Sequence, residues 1–245
     1  MPITERPPKD YLEQPLKDEY SQCYLPLPRH RRRIIFNLIK RIKFEDCVDV
    51  GCAQSYLLEA IAEKYGVRAH GCDILEEIVV ENRKKFPHIE FSVLDIENDK
   101  WPYKQFDLVI CSEVLEHIIE WRNALENLAT MSKRYLLISV PGGKLRKTDT
   151  IVGHYRHYQG DELVTALREQ GFKPVKMIRH GFPVHSFYKL LINWIMPENL
   201  YHSFHHQTQY SIVKKIIAHA LYGLFFINYF FSSGNQLYIL AERCD

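Results

Sequence analysis

The sequence predicts an α/β fold built on a parallel sheet with helices on both faces. Three features predict it. From residue 46 onward, apolar runs of strand length alternate with amphipathic stretches of 10 to 12 residues. The strand-like runs are almost continuously apolar, as strands buried on both sides are. Several of them stop at a glycine or a carboxylate, at what becomes the carboxyl edge of the sheet, where ligands bind in such folds.

The elements follow in order. Residues 29–33 (Arg-His-Arg-Arg-Arg) read as the solvated first turn of a helix whose buried face is Ile34, Ile35, Leu38, Ile39 and Ile42. A basic run at a helix N-terminus opposes the macrodipole, so the same run also fits a phosphate or an anionic surface. Residues 47–50 form a strand ending at Gly51, and 56–65 a helix with Leu57, Leu58, Ile61 and Ala62 on one face. Residues 67–72 form the next strand, ending at Asp73; a helix over 75–86 precedes a strand over 89–94 that ends at Asp95. An apolar strand over 106–111 leads to a helix over 121–131. A strand over 135–140 is stopped by Pro141-Gly142-Gly143, and a helix over 161–170 ends at Gly171, a C-cap position. Two further strands, 172–178 and 236–242, are separated by nearly sixty residues.

The chain of 245 residues thus divides into a proline-rich N-terminal arm (1–28), a core (29–182), an apolar helical insertion (183–235) and the last strand of the core (236–245). Six of the twelve prolines fall in the arm, which excludes a long regular helix there and leaves a loose arm or a strap over the body. No apolar segment opens the chain, so no secretory leader is expected. Six cysteines without a CxxC pair point to a reducing, cytoplasmic setting. Hydrophobic residues at 46% and charged residues at 25% exclude wholesale disorder. Lys plus Arg total 32 against 30 Asp plus Glu, a net charge of +2, so no nucleic acid partner is expected.

Gly51, Asp73, Asp95 and the Ser112-Glu113 pair fall at successive strand ends, hence at one rim. Gly51 admits close backbone approach, and Asp49 lies two residues before it. Asp73 follows Gly51 by 22 residues, where a carboxylate accepts hydrogen bonds from ribose hydroxyls. Asp95 is placed for an amino group such as that of adenine. These point to a nucleoside-bearing ligand, and two classes fit: a nicotinamide or flavin dinucleotide, and S-adenosylmethionine. The loop over 51–55, Gly-Cys-Ala-Gln-Ser, has one glycine, so a pyrophosphate would lose its close seat on backbone amides. A sulfonium cation without phosphate suits acidic surroundings better.

Residues 48–55 (Val-Asp-Val-Gly-Cys-Ala-Gln-Ser) resemble motif I of class I S-adenosylmethionine-dependent methyltransferases, and residues 106–117 (Phe-Asp-Leu-Val-Ile-Cys-Ser-Glu-Val-Leu-Glu-His) resemble their fourth-strand motif. The version is that of the small-molecule branch with the ubiquinone- and menaquinone-type enzymes. Val140-Pro141, residues 153–158 (Gly-His-Tyr-Arg-His-Tyr), Glu162-Leu163 and Gly171-Phe172 follow the same pattern, so the resemblance covers roughly residues 30–180 and the last strand. It implies a Rossmann-like, seven-stranded, mostly parallel sheet with an antiparallel last strand, elaborated by a helical apolar insertion before that strand. It also implies S-adenosylmethionine as cofactor. Asp49, Gly51 and Ala53 would lie in the loop beside the methionine moiety. Asp73 would bind the ribose, Ile74 would pack on the adenine, and Asp95 and Ile96 would flank it. Ser112 and Glu113 would line the floor near the methyl group. The family's second and third motif I glycines are Ala53 and Ser55 here, with Ser55 placed to cap the following helix.

Methyl transfer is an in-line displacement in which alignment and desolvation of the acceptor do much of the work. A hydroxyl acceptor also needs a base, and histidine suits that role. His117 and His154 are the leading candidates, with His157 behind them. Tyr155, Arg156 and Tyr158 are placed to shape an acceptor pocket. Base-amino methyltransferases usually carry an Asn/Asp-Pro-Pro-aromatic motif after the fourth strand, where this chain has Ser112-Glu113-Val114-Leu115. The competing reading is a binding or scaffold protein that kept the fold and lost transfer, motivated by Ala53 and Ser55.

The insertion carries residues 187–196 (Phe-Tyr-Lys-Leu-Leu-Ile-Asn-Trp-Ile-Met) and an apolar stretch over 212–231 broken by Lys214, Lys215, His219 and Asn228. Beyond the two lysines, residues 216–231 are 16 residues, too short to span a bilayer. It fits peripheral contact with a membrane interface, a lid over a greasy acceptor pocket, or a homodimer or packing surface. The first two point to a lipid-linked acceptor. His202, His205 and His206 read as a polar loop, and no metal site is expected.

Overall fold

The computed structural model describes residues 23–102, 105–195 and 211–244. Seven strands form one sheet: β1 (Asp46–Val50), β2 (Arg68–Asp73), β3 (Glu90–Val93), β4 (Phe106–Ser112), β5 (Ser132–Pro141), β6 (Phe172–His180) and β7 (Gln236–Arg243). Their spatial order is β3-β2-β1-β4-β5-β7-β6. β1 pairs in parallel with both β2 and β4, so the chain reverses its direction of travel across the sheet between β1 and β4. β7 runs antiparallel between β5 and β6. The sheet class, strand count and reversed last strand are those expected from the sequence.

Alternating strand residues fill two cores. Val48, Val50, Val109, Cys111, Leu136 and Ile138 face one layer. It is closed by α4 (Trp121–Met131) and α6 (Gly160–Glu169), through Leu125, Leu128, Leu163 and Leu167. Cys47, Leu108, Ile110, Leu137 and Leu240 face the other. That layer is closed by α1 (Pro26–Ile39), α2 (Tyr56–Tyr65) and α3 (Glu76–Lys85). Because both faces are covered, polar groups collect at the carboxyl edge.

α1 begins at Pro26, inside the stretch expected to be an arm. Pro26 and Pro28 sit in the first turn, where a missing N–H leaves no bond unmade. The arm up to residue 22 lies outside the described residues. Ile34, Ile35, Leu38 and Ile39 form the buried face as expected, but the basic run is not a solvated turn. Arg29 lies over the Tyr222 ring at 3.5 Å and Arg33 over Phe226 at 4.9 Å, while Arg31 pairs with Glu113 at 3.0 Å. The aromatic partners belong to the insertion, which is why sequence proximity did not show them.

A short helix, α5 (Lys147–Ile151), follows β5. The insertion supplies α7 (Val184–Ile195), α8 (Ile212–Leu224) and a 3₁₀ turn over Phe225–Phe230. His30 of α1 is its inner anchor: Nε2 donates to the Tyr222 carbonyl at 3.0 Å and the Tyr229 hydroxyl lies 3.2 Å from Nδ1. His202, His205 and His206 lie outside the described residues.

The insertion leaves and rejoins the sheet through a narrow neck, where the Phe182 N–H donates to the Ser233 carbonyl at 3.1 Å. Gly234, at φ +139°, makes this neck: an added Cβ would lie 2.2 Å from the His180 carbonyl oxygen. Both the backbone conformation and the clash exclude a side chain. Gly234→Ala is expected to lower stability by at least about 2 kcal/mol in denaturant titration. A substitution within about 0.5 kcal/mol of wild type would contradict this neck geometry.

Candidate active site

The carboxyl edge gathers the polar groups strand by strand. Asp49 is 4% exposed and Asp73 8%. Burial, with Asp73 nearby, pushes the Asp49 carboxyl up to about 8. Burial also raises that of Asp73, against the backbone N–H bonds it accepts. Asp73 Oδ2 accepts from the Ala53 N–H at 2.9 Å and Oδ1 from the Leu75 N–H at 3.1 Å. The Ile74 N–H also points at this carboxylate.

The loop between β1 and α2 is tightly wound. Gly51 has φ +73°, and a Cβ there would meet Val114 Cγ2 at 2.3 Å. Ala53 (φ 43°) and Ser55 (φ 57°) also take left-handed backbone, as does Glu113 (φ 58°) at the end of β4. Ser55 does not cap α2 through its side chain. Its Oγ instead accepts from Asn82 Nδ2 at 3.0 Å, because the left-handed backbone turns the hydroxyl away from the helix end. Asn82 also donates to the Ala53 carbonyl at 2.6 Å. Asn82 is the residue that sequence reading missed here. It sits on the inner face of a polar helix, with no motif to mark it.

The other expected cofactor residues divide. Ile74 is exposed beside Asp73, whereas Ile96 is buried in the core. Its position is set by Asn127, whose Nδ2 donates to the Ile96 carbonyl at 2.8 Å. Asp95 closes its own turn, accepting from the Glu97 N–H at 3.0 Å and from Asn98 Nδ2 at 2.9 Å. Ser112 Oγ lies 2.8 Å from Ser139 Oγ, which donates to Glu113 Oε1 at 3.1 Å. Glu113 is held from its other side by Arg31, which also donates to the Tyr238 hydroxyl.

The segment after α5 folds over the turn that follows β4. The Tyr155 N–H donates to the Glu116 carbonyl at 2.8 Å, and His117 Nδ1 donates to the Gly153 carbonyl at 3.2 Å. His117 and His154 ring centroids are 4.7 Å apart, His154 Nδ1 lies 3.3 Å from His157 Nε2, and His157 Nε2 lies 3.5 Å from Asp149 Oδ2. The expected histidines therefore do come together. Tyr158 does not line a pocket. It is fully buried against Trp121 and donates to the Leu115 carbonyl at 2.8 Å, since its position beneath the segment leaves it only core neighbours. Arg156 turns to the Ile119 carbonyl at 3.3 Å.

Glu116, with both carboxylate oxygens buried and unpartnered, lies beside these histidines. Its ligand atoms and those of His117 and His154 lie within 4.8 Å of one another, as do those of Asp149, His154 and His157. A carboxylate with two imidazoles is a donor set that suits a first-row divalent ion. Sequence spacing did not reveal it, because the third ligand arrives from a distant segment.

Burial pulls His117 down to about 4, opposed by its bond to Gly153. Burial and then the neighbouring His117 and His157 pull His154 to about 2. Both are neutral near pH 7. Their unfolded forms take up protons first as pH falls, so stability is lost as pH drops from about 6.5 toward 4. His154→Asn is expected to flatten that slope in denaturant titrations across the window. An unchanged slope would contradict a buried neutral imidazole at this position.

A family model described as a methyltransferase domain matches residues 27–177. The chain is 32% identical over 108 residues to a ubiquinone biosynthesis O-methyltransferase of Coxiella burnetii, a match covering 42% of this chain and 43% of that protein. It thus spans less than half the length of that curated relative. Among solved structures, the N-methyltransferase NodS of Bradyrhizobium japonicum WM9 superposes with TM-score 0.61 at 16% identity, covering 96% of this chain and 98% of that one. Magnesium protoporphyrin IX methyltransferase of Synechocystis PCC 6803 does so with TM-score 0.58 at 17% identity, covering 96% and 93%. At such identities these two share the fold.

Proposed function

The chain belongs to the methyltransferase domain family, and on that premise we propose that it transfers a methyl group from S-adenosylmethionine to a hydroxyl of a small or lipid-linked acceptor, in contact with a membrane surface through residues 183–235. The observation that carries the reading is the pair of buried carboxylates, Asp49 and Asp73, on neighbouring strands beside the tightly wound loop. Two carboxylates out of water favour a ligand that brings positive charge and hydroxyl donors. Gly51, with no room for a Cβ, lets the backbone come close. The residues present therefore suit the cofactor: Asp49 and the 51–55 loop would hold the methionine side, Asp73 the ribose and Ile74 the adenine.

S-adenosylmethionine supplies, when bound, an electrophilic methyl carbon on a sulfonium leaving group. The chain's own residues do the rest. The His117 bond to Gly153 fixes the Nδ1–H tautomer, which puts the basic lone pair on Nε2. That nitrogen takes the proton of the acceptor hydroxyl as its oxygen is methylated. His154 lies against the His117 ring and supports it from the 153–158 segment. The scaffold alternative rests on Ala53 and Ser55. Both hold the left-handed backbone that a glycine would adopt, so the loop keeps its conformation without glycine.

Incubation with methyl-labelled S-adenosylmethionine and a membrane lipid extract is expected to transfer label to an organic-soluble product. Asp73→Asn should raise KM for the cofactor about tenfold or more, through loss of charge-assisted bonds. His117→Ala should lower kcat by about 10²-fold or more with little change in that KM. Cofactor binding without label transfer to any acceptor would favour the scaffold reading, and no cofactor binding would sink both.

A further inference from the structure

Helix α7 turns opposite chemistry to its two sides. Phe187, Leu190, Leu191 and Trp194 recur at the spacing of one helix face and are 66, 47, 39 and 85% exposed. On the side turned toward the site, Lys189 Nζ lies 2.8 Å from Asp149 Oδ1 with both side chains largely buried. Asn193 Oδ1 accepts from the Thr148 N–H at 3.3 Å. A surface helix ordinarily turns its apolar stripe inward; α7 packs His185 and Tyr188 on Phe225 and leaves this second apolar stripe outward. α8 repeats the pattern: Ile212, Val213, Ile216 and Ile217 are exposed, while Lys214 and Lys215 are half-buried.

The charge beside the α8 stripe is basic. Between residues 181 and 235 the one acidic residue is Glu198, against Lys214 and Lys215, with Lys189 turned inward onto Asp149. α8 packs on α1, which adds Arg29, Arg32 and Arg33. No helix among the described residues is long and apolar enough to cross a membrane. Outward aliphatic and aromatic side chains with cationic neighbours suit helices that lie in the interface of an anionic bilayer.

We infer that α7 senses the membrane: seating its outer stripe in an anionic bilayer surface steadies its inner face against residues 147–158 and so orders the acceptor side of the site. The inference rests on the methyltransferase reading for what that site does, and on the two faces of α7 for the docking. The segment it would steady carries Asp149, His154 and His157, the group already linked to His117.

Vesicle flotation of the full chain, paired with hydrogen exchange, tests this. Phosphatidylcholine vesicles containing one-third phosphatidylglycerol should bind it at least about tenfold better than phosphatidylcholine alone, and less well in high salt. Leu190→Glu/Leu191→Glu changes exposed residues only and should abolish flotation. On the anionic vesicles, amides within 147–158 should gain protection in the wild type. Lys189→Met should still float without that gain. Absence of flotation, or flotation without added protection in the wild type, overturns the inference. So does a dimer in light scattering that the same double variant dissolves without any vesicle binding, since the stripe then seats a second copy. Cofactor binding measured on the same samples separates the two readings: flotation without cofactor binding leaves docking standing and sinks the methyltransferase reading.

Discussion

Two carboxylates held out of water at one edge of the sheet are the constraint around which the molecule is arranged. Asp49 and Asp73 stand on adjacent parallel strands, and the doubly covered sheet gives them no other outlet than its carboxyl edge. Burial drives both toward protonation. The loop after β1 answers part of that electrostatic demand by turning the Ala53 N–H onto Asp73. Doing so requires left-handed backbone at Ala53 and Ser55, each a strain of about 1 kcal/mol or more for a residue with a side chain. Asn82 offsets it by donating to both the loop carbonyl and the Ser55 hydroxyl. Strain stored in a loop beside buried charge is the ordinary signature of a binding edge.

The rim around Glu113 and the histidines is assembled from pieces far apart in the chain. Arg31 of α1 fixes Glu113, while Arg29 and Arg33 clamp the aromatic inner face of the insertion. The N-terminal helix thus joins the rim to the insertion. A second link runs from α7 through Lys189 to Asp149 and on to the histidines. The insertion, which rejoins the sheet through a neck closed by Gly234, is therefore tied to the site at two places rather than hanging from it.

Much of this was legible in the sequence where the signal is local. Apolar runs ending at Gly51, Asp73 and Asp95 marked the first strands along the chain, and residues 106–117 marked the fourth strand and its turn. His117 and His154 were legible as residues of one rim, and the adjacency of the strands that precede them brings their rings together. What could not be read depends on which way a side chain turns or on a distant partner. Ser55 looks like a helix cap until its backbone is seen to be left-handed. Tyr158 looks like a pocket wall, but it is buried against Trp121. The basic run at 29–33 looks solvated because its partners, Tyr222, Phe226 and Glu113, lie at least 80 positions away. Lys189 and Asn82 carry no motif, and Glu116, although it lies inside the 106–117 run, has no role that spacing alone assigns; only the packing of their helices and turns gives them a task.

The central claim is that the buried carboxylate pair receives a cationic, adenosine-bearing ligand. Calorimetric titration with S-adenosylmethionine near neutral pH, in two buffers of different ionisation enthalpy, tests it most directly. Asp49 is held largely protonated there by its raised pKa of about 8, so a cation beside it should expel close to one proton. The release should fade above about pH 9 and vanish in Asp49→Asn. Binding with no buffer dependence in the wild type, or no binding at all, would contradict the account.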